Sequence, residues 1–230
     1  MKELFKVHHQ LIGEEKQTQL AAAKVAIIGL GGLGTCVAQS VNRLGIGHLQ
    51  LWDDDTVEVS NLPRQVLYAQ QDIGSLKIHA AKEKLLQFQN QQEIEVIPEL
   101  LTSKNAERLK GADLVLDCTD NFVARYAISK ACEALAIPMI FGGVNGFEGQ
   151  VGVFNHQGGL PFHKVFPDAE VLMQNETCEA SGVLPFVVQT IGNYQVAEAF
   201  KVISGQGKAL NNQLLVLDFE TSKSRIIQLG

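Results

Sequence analysis

Cysteines and long apolar runs are scarce in this chain, and both absences exclude classes of protein. Its 230 residues include four cysteines, Cys36, Cys118, Cys132 and Cys178, with no C-x-x-C pair among them. This spacing does not resemble a disulfide framework, and a reducing cytoplasm fits it best. No run of 18 or more apolar residues occurs, so we predict no transmembrane helix and no membrane partner. The start, MKELFKVHHQ, lacks the apolar core of a signal peptide.

Positive charge is scarce as well. Lys and Arg total 19 against 25 Asp and Glu, which gives a net charge of −6. Because a nucleic-acid-binding surface needs clustered Lys and Arg, we predict no nucleic-acid partner. The hydrophobic content of 46% is ordinary for a globular protein that buries a core. The length suits one large α/β domain over residues 1–230.

Short apolar strands alternate with amphipathic helical patterns in the first part of the chain. Strands are predicted at 24–29, 48–53, 93–98, 112–117 and 138–143, and helices at 32–44, 75–90, 103–110 and 121–136. This alternation predicts a Rossmann-like, doubly wound and mostly parallel sheet with helices on both faces. We place its nucleotide-binding part at about 20–145.

After residue 145 the pattern changes. The sequence predicts an antiparallel or mixed strand at 148–155, a long loop at 156–181, and a helix at about 183–203 with a closing hairpin up to 230. A loop of that length inside a compact domain is unusual and is often functional.

The stretch KVAIIGLGGLGT contains the dinucleotide-binding fingerprint G-x-G-x-x-G. Gly29 permits the tight turn, Gly31 lets the backbone approach phosphates, and Gly34 lets the helix pack on the strand. The following helix N-terminus favours phosphate. Asp53 ends the second predicted strand, where a carboxylate would bind a ribose hydroxyl. These features suit NAD and ATP equally.

The segment WDDDTVEVSNLPRQ favours ATP. A triphosphate carries more charge than NAD and needs cations and a metal. Arg64 follows Ser60 and Asn61, and Lys77 opens the next predicted helix. On loops at the carboxyl ends of parallel strands, these cations would surround bound phosphates. The alternative for each is a solvated surface charge.

Acidic and amide groups follow the fourth predicted strand. The sequence LDCTDN places Asp117, Asp120 and Asn121 there. A carboxylate beside an anionic nucleotide requires a cation such as Mg²⁺ between them. The alternative is that Asp120 caps the following helix, which need not exclude a metal role.

In this order and spacing, GLGGLG, DDDTVEVSNLPRQ, IGSLK and LDCTDN resemble the ThiF/MoeB/HesA family from about residue 7 to the end. Its members are relatives of ubiquitin-activating enzymes and adenylate the C-terminal glycine of ubiquitin-like sulfur carrier proteins. The resemblance implies ATP with Mg²⁺, a cytoplasmic homodimer, and a carrier ending in Gly-Gly. A cysteine desulfurase or other sulfur donor is a further implied partner. Thiamine and molybdopterin biosynthesis both remain open.

The resemblance assigns a role to each motif position. Adenosine and ribose contacts fall on Gly32 and Asp53. The implied ATP-binding residues, in chain order, are Gly29, Gly31, Gly32, Gly34, Asp53, Ser60, Asn61, Arg64, Lys77, Asp120 and Asn121. Asp120 is also the implied Mg²⁺ ligand. The attacking carboxylate is ionised at pH 7 and needs no general base, so Arg64, Lys77 and Asp120 are the predicted catalytic groups.

Cys178 corresponds to the family's crossover-loop cysteine, which forms an acyl-disulfide or persulfide with the carrier. The alternative is an inert buried thiol. The neighbouring acids Glu176 and Glu179 would raise the pKa of the thiol and disfavour a nucleophile.

Two positions depart from the family pattern. The family binds zinc through two C-x-x-C pairs, but residues 161–166 read PFHKVF and the second position falls in DFETSKSR. With no thiols there, we predict no zinc site and expect apolar packing to replace the metal. The family's N-terminal arginine, which reaches the partner's ATP, aligns with His9. Either Lys6 substitutes, or this contact is missing.

Three other functions fit the same motifs. The first is adenylation of a small-molecule carboxylate, as in the tRNA threonylcarbamoyladenosine dehydratases of this family. The second is an NAD-dependent redox enzyme, although the sequence offers no obvious acid or base for hydride transfer. The third is an inactive partner-binding homologue, which retention of Arg64, Lys77 and Asp120 disfavours and which His9 and the missing zinc ligands favour.

Overall fold

A computed structural model describes residues 3–89, 91–167 and 182–229. Its centre is an eight-stranded sheet with the strand order β3-β2-β1-β4-β5-β6-β7-β8. The strands are β1 Lys24–Ile28, β2 His48–Trp52, β3 Glu93–Ile97, β4 Leu114–Asp117, β5 Met139–Asn145, β6 Glu148–Phe154, β7 Gln213–Asp218 and β8 Lys223–Gln228. Strands β1 to β5 pair in parallel and β6 to β8 continue the sheet antiparallel. The predicted fold class is confirmed.

Helices cover both faces of this sheet. They are α1 Lys6–Ala22, α2 Gly32–Leu44, α3 Lys77–Phe88, α4 Phe122–Leu135, α5 Phe162–Val165 and α6 Pro185–Ser204. Short 3-10 turns lie at Val59–Asn61, Gln70–Asp72 and Ala106–Leu109. Among the helices in the described part of the chain, none has the length and apolar character needed to cross a bilayer.

The core is divided by the sheet into two clusters. On β1, Val25 and Ile27 pack into the cluster that includes residues of α2, α3 and α6. Ala26 and Ile28 point to the opposite face, toward α4 and α5. All four side chains are buried, as expected for a parallel strand covered on both faces.

Three predictions of local structure were wrong or incomplete. The predicted helix at 103–110 is only a 3-10 turn, because the Asn105 side chain accepts the Thr102 N–H at 2.7 Å and stabilises a non-helical turn. Helix α1 was not predicted, because only Gln17 and Leu20 in it are buried and it therefore lacks a clear apolar period; Gly13 at φ +78° also breaks it. Helix α5 lies inside the predicted loop at 156–181, of which residues 168–181 are outside the described part.

Strand register brings three chain segments to one edge of the sheet. Ile28 at the end of β1 pairs with Trp52 of β2 on one side and with Asp117 of β4 on the other. The glycine-rich turn, the acidic segment after β2 and the LDCTDN segment therefore emerge side by side. This is the switch point of an open α/β sheet, where ligands bind.

Candidate active site

A cleft with a volume of 1540 Å³ opens at this switch point. It unites nearly all of the predicted binding residues. The predicted residues that line it are Gly29, Gly31, Gly32, Asp53, Ser60, Asn61, Arg64, Lys77, Asp120 and Asn121. Gly34 does not line the cleft but lies beneath it, and Cys178 lies outside the described residues.

The glycines of the turn have different physical roles. Gly29 has φ +90°, and a Cβ added there would lie 3.0 Å from the Cys118 carbonyl oxygen. A Cβ at Gly34 would lie 1.9 Å from the Gly29 carbonyl oxygen, so only glycine lets α2 approach β1 this closely. At Gly31 the nearest atom would be the Gln65 Nε2, 3.9 Å away, which leaves open space above the α2 N-terminus. Among the described residues no side chain caps that terminus, so its first N–H groups are left for a ligand in the cleft.

Asp53 connects the glycine turn to the end of β2. Its Oδ2 accepts the Leu30 N–H at 2.6 Å, and its Oδ1 accepts the Asp55 N–H at 2.9 Å. The Tyr68 hydroxyl donates to the Leu30 carbonyl at 3.0 Å from below. Burial raises the pKa of Asp53, and the nearby Lys77 charge opposes that rise. A carboxylate has further acceptor positions, so Asp53 can also accept from a ribose hydroxyl.

The two predicted cations differ in their environment. The Lys77 side chain is only 8% exposed, and its Nζ lies 2.7 Å from the Asp55 Oδ2. It is not a solvated surface charge. Arg64 is half-buried at the cleft, and its Nη1 donates to the Ser60 carbonyl at 2.8 Å. Asn61 fixes this 3-10 turn by accepting the Glu58 N–H at 3.1 Å.

Asn121, and not Asp120, caps the helix that follows β4. The Asn121 Oδ1 accepts the Ala124 N–H at 2.9 Å and begins α4. The alternative that Asp120 is the cap is therefore wrong. Asp120 lines the cleft, whereas Asp117 is fully buried below it.

Sequence reasoning missed several cleft residues. Asp55 pairs with Lys77, and Arg125 and Lys130 of α4 line the cleft beside Tyr126. Residues 100–103, which follow β3, form another wall. The spacing of Asn121 and Arg125 gave a usable signal, because residues four apart on a helix share one face.

Three of the four cysteines lie in the described part of the chain. Cys36, Cys118 and Cys132 are buried, and burial raises the pKa of each thiol.

Phe162 lies in the first segment where the family has zinc ligands. It is 2% exposed, and its ring centroid lies 4.7 to 5.2 Å from those of three other Phe residues, Phe166, Phe141 and Phe154. Apolar packing occupies this position, and the absence of zinc stays a prediction.

Comparisons with known proteins find adenylyltransferases among the relatives of this chain. The sulfur carrier protein adenylyltransferase of Thermus thermophilus is 38% identical over 94% of this chain and 83% of its own length. The molybdopterin-synthase adenylyltransferase of Escherichia coli is 34% identical over 93% of this chain and 86% of its own length. The crystal structure of PaaA superposes with a TM-score of 0.86 at 25% identity, covering all of this chain and 83% of that one. The chain spans about half the length of some further relatives.

The family model extends over nearly the whole chain. It is the model of the ThiF family, and it matches residues 5–230. This match includes every segment that builds the cleft, and the named relatives are adenylyltransferases. The predicted resemblance is confirmed: the chain belongs to the ThiF family.

Proposed function

We propose that this protein adenylates the C-terminal carboxylate of a ubiquitin-like sulfur carrier protein. The carboxylate attacks the α-phosphorus of ATP, an acyl-adenylate forms, and pyrophosphate leaves. One observation carries the proposal: a single cleft joins an open helix N-terminus, two cations and a carboxylate. The names of the relatives support the carrier as substrate.

The charges of the cleft favour a triphosphate over NAD. Lys77 and Arg64 add positive charge to that of the α2 N-terminus, which alone can largely serve two phosphates. Asp120 adds a carboxylate, which would repel bound phosphates unless a cation lay between them. Magnesium bound at Asp120 would neutralise phosphate charge in the transition state.

Asp120 fits a magnesium ligand better than the acidic group at the end of β2. Asp53, Asp54 and Asp55 also have carboxylate oxygens within 4.8 Å of one another. Asp55 there already accepts a hydrogen bond from the Lys77 ammonium at 2.7 Å. Asp120 supplies a hard oxygen ligand at the opposite wall of the cleft, which suits Mg²⁺.

The cleft has room for more than a nucleotide. Its 1540 Å³ exceeds the roughly 300 to 1,000 Å³ of ordinary small-molecule sites. Val144, Gly182, Val183 and Val188 form an apolar part of the lining. An extended Gly-Gly tail, which has no side chains, suits this apolar side.

Residues of this chain supply positioning and charge to the reaction. The ionised carboxylate needs no base at neutral pH. Arg64 and Lys77 would stabilise charge that develops on the phosphates, and Gly31 admits those phosphates to the helix N-terminus. A homodimer, a sulfur donor such as a cysteine desulfurase, and the pathway, thiamine or molybdopterin, belong to the same proposal on the strength of the family resemblance.

Pyrophosphate exchange into ATP tests the proposal. Exchange should require a carrier ending in Gly-Gly. Lys77→Met should reduce it about 100-fold, the usual effect of removing one transition-state charge. Lys223→Met on the exposed edge strand β8 is the matched control and should have no effect. If small carboxylates support exchange and no carrier does, the substrate is a small-molecule carboxylate and not a carrier protein.

Pyrophosphate exchange and thiocarboxylation of the carrier, measured on the same variant, separate adenylation from sulfur delivery. If Cys178 acts on the carrier, Cys178→Ser should keep exchange and impair thiocarboxylation of the carrier. Wild-type thiocarboxylation in that variant would contradict a role for the thiol.

A further inference from the structure

A buried pair of opposite charges, with Asp117 below the cleft and Arg125 in its wall, has no part in the proposed chemistry. Asp117 at the end of β4 is 0% exposed, and Arg125 on α4 is 5% exposed. The Arg125 Nε and the Asp117 Oδ2 are 3.7 Å apart, and neither atom has a hydrogen-bond partner among the described residues. At this separation the attraction offsets the lost hydration poorly. Stability alone is therefore a weak explanation for the pair.

Both members of the pair hold the same residue. The Asp117 Oδ1 accepts the Thr119 N–H at 3.0 Å and the Thr119 hydroxyl at 2.6 Å. The Arg125 Nη2 donates to the Thr119 carbonyl at 2.9 Å. The backbone donor, the backbone acceptor and the side chain of Thr119 are thus all bonded to this pair.

Asp120 lies between two fixed residues. Thr119 precedes it, and Asn121 follows as the helix cap. Gln195 of α6 fixes the start of the turn by donating its Nε2 to the Asp117 carbonyl at 2.8 Å. The backbone that carries the Asp120 carboxylate is therefore held on both sides.

The guanidinium group is suited to this position. Its Cζ lies 4.9 Å from the Phe141 ring centroid and 5.2 Å from that of Phe122. A planar fork can stack on rings and donate in plane to the Thr119 carbonyl, whereas a lysine ammonium cannot do both. Burial raises the pKa of Asp117, and the Arg125 charge and the Thr119 hydrogen bonds oppose that rise.

We propose that Arg125 and Asp117 are positioning residues, which hold the Thr119 backbone and thereby aim the Asp120 carboxylate into the cleft. The role of a correctly oriented Asp120 in catalysis rests on the proposed function. The restraint of the Thr119 backbone does not, and it can be measured in the protein without substrates. A displacement of about 1 Å at a reacting centre can reduce a rate about 100-fold.

Arg125→Lys and Thr119→Val test the proposal. Arg43→Lys is the matched control, because the Arg43 Cζ lies 4.4 Å from the Phe88 ring centroid away from the cleft. In the protein alone, both test variants should speed hydrogen exchange of the amides at 117–121 by at least about tenfold, with β1 unchanged. In pyrophosphate exchange, kcat should fall by at least about tenfold and the half-saturating Mg²⁺ concentration should rise. The control should change neither readout.

Two results would overturn the proposal. Unchanged hydrogen exchange at 117–121 in both variants would show that the pair does not hold the turn. A loosened turn with wild-type kcat and Mg²⁺ dependence would show that Asp120 is not aimed this way. If Arg125→Lys fails to fold, Thr119→Val still decides, since it removes one hydroxyl and no buried charge. An inactive wild type would instead contradict the proposed function, and hydrogen exchange would still test the hold.

Discussion

At the scale of single residues, the glycine-rich turn separates folding from ligand binding. Gly34 and Gly31 belong to one motif, yet their surroundings are opposite. The space at Gly34 is taken by the Gly29 carbonyl, whereas the space at Gly31 is open toward the cleft. A motif alone cannot distinguish these roles, because both positions read as glycine.

This difference predicts opposite effects of alanine. Gly34→Ala places a Cβ 1.9 Å from backbone, so α2 must move away from β1. The free energy of unfolding should fall by about 3 kcal/mol or more, as in severe overpacking. Gly31→Ala has room and negative φ, so its unfolding free energy should change by less than about 1 kcal/mol. Its affinity for ATP should nevertheless fall at least about tenfold, because the methyl group projects where phosphate approaches.

Chemical denaturation and calorimetric titration with ATP check this pair. Equal destabilisation by both substitutions would contradict the assignment. Wild-type ATP affinity in Gly31→Ala would show that the phosphates do not bind at this end of α2.

At the scale of elements, periodicity predicted the strands and most helices to within a few residues, because buried parallel strands and amphipathic helices have strong signals. It failed where a local contact decides the structure. The Asn105 side chain stabilises a turn where the pattern predicted a helix, and α1, which is broken at Gly13, was not predicted. The glycine turn, Arg64, Lys77 and Asp120 were predictable from motifs. Arg125 and Asp55 belong to no such motif, because their roles follow from side-chain contacts with Thr119 and Lys77 that only the folded structure shows.

Helix α5 is a short element that aromatic packing and a side-chain hydrogen bond hold in place. Phe162 packs among three phenylalanine rings, and the His163 Nδ1 lies 2.9 Å from the Ser129 Oγ of α4. Phe162→Ala should lower the free energy of unfolding by about 3 to 5 kcal/mol, the usual range for a buried phenylalanine. Phe186→Ala is the control, since that ring is 48% exposed, and it should cost far less.

Thermal denaturation with a chelator, together with elemental analysis for zinc, completes this test. We expect no stoichiometric zinc and no change in Tm with chelator, because neither candidate position has a thiol. Stoichiometric zinc would show that other side chains bind it. A mild effect of Phe162→Ala would refute packing as the replacement.

At the scale of the whole molecule, one cleft receives contributions from segments spread along the described chain. β1, β2 and β4 end there, α2, α3 and α4 begin there, and α6 contributes Val188 to the lining. A nucleotide bound there, as proposed, would contact elements on both faces of the sheet. Binding should therefore stabilise the molecule as a unit, and the choice of nucleotide can be measured as global stability.

Thermal denaturation with different nucleotides tests that choice. A ligand that binds only the native state stabilises it by about 2.7 kcal/mol at 100 times its Kd. For a chain of this length that corresponds to a rise in Tm of about 5 to 10 °C. We expect this rise with ATP and Mg²⁺ and none with NAD or NADP, because Lys77, Arg64 and Asp120 suit a metal-bound triphosphate. Lys77→Met should reduce the rise, and Lys223→Met should keep it. A rise with NAD alone would return the protein to the redox class, because the glycine turn and Asp53 serve either nucleotide.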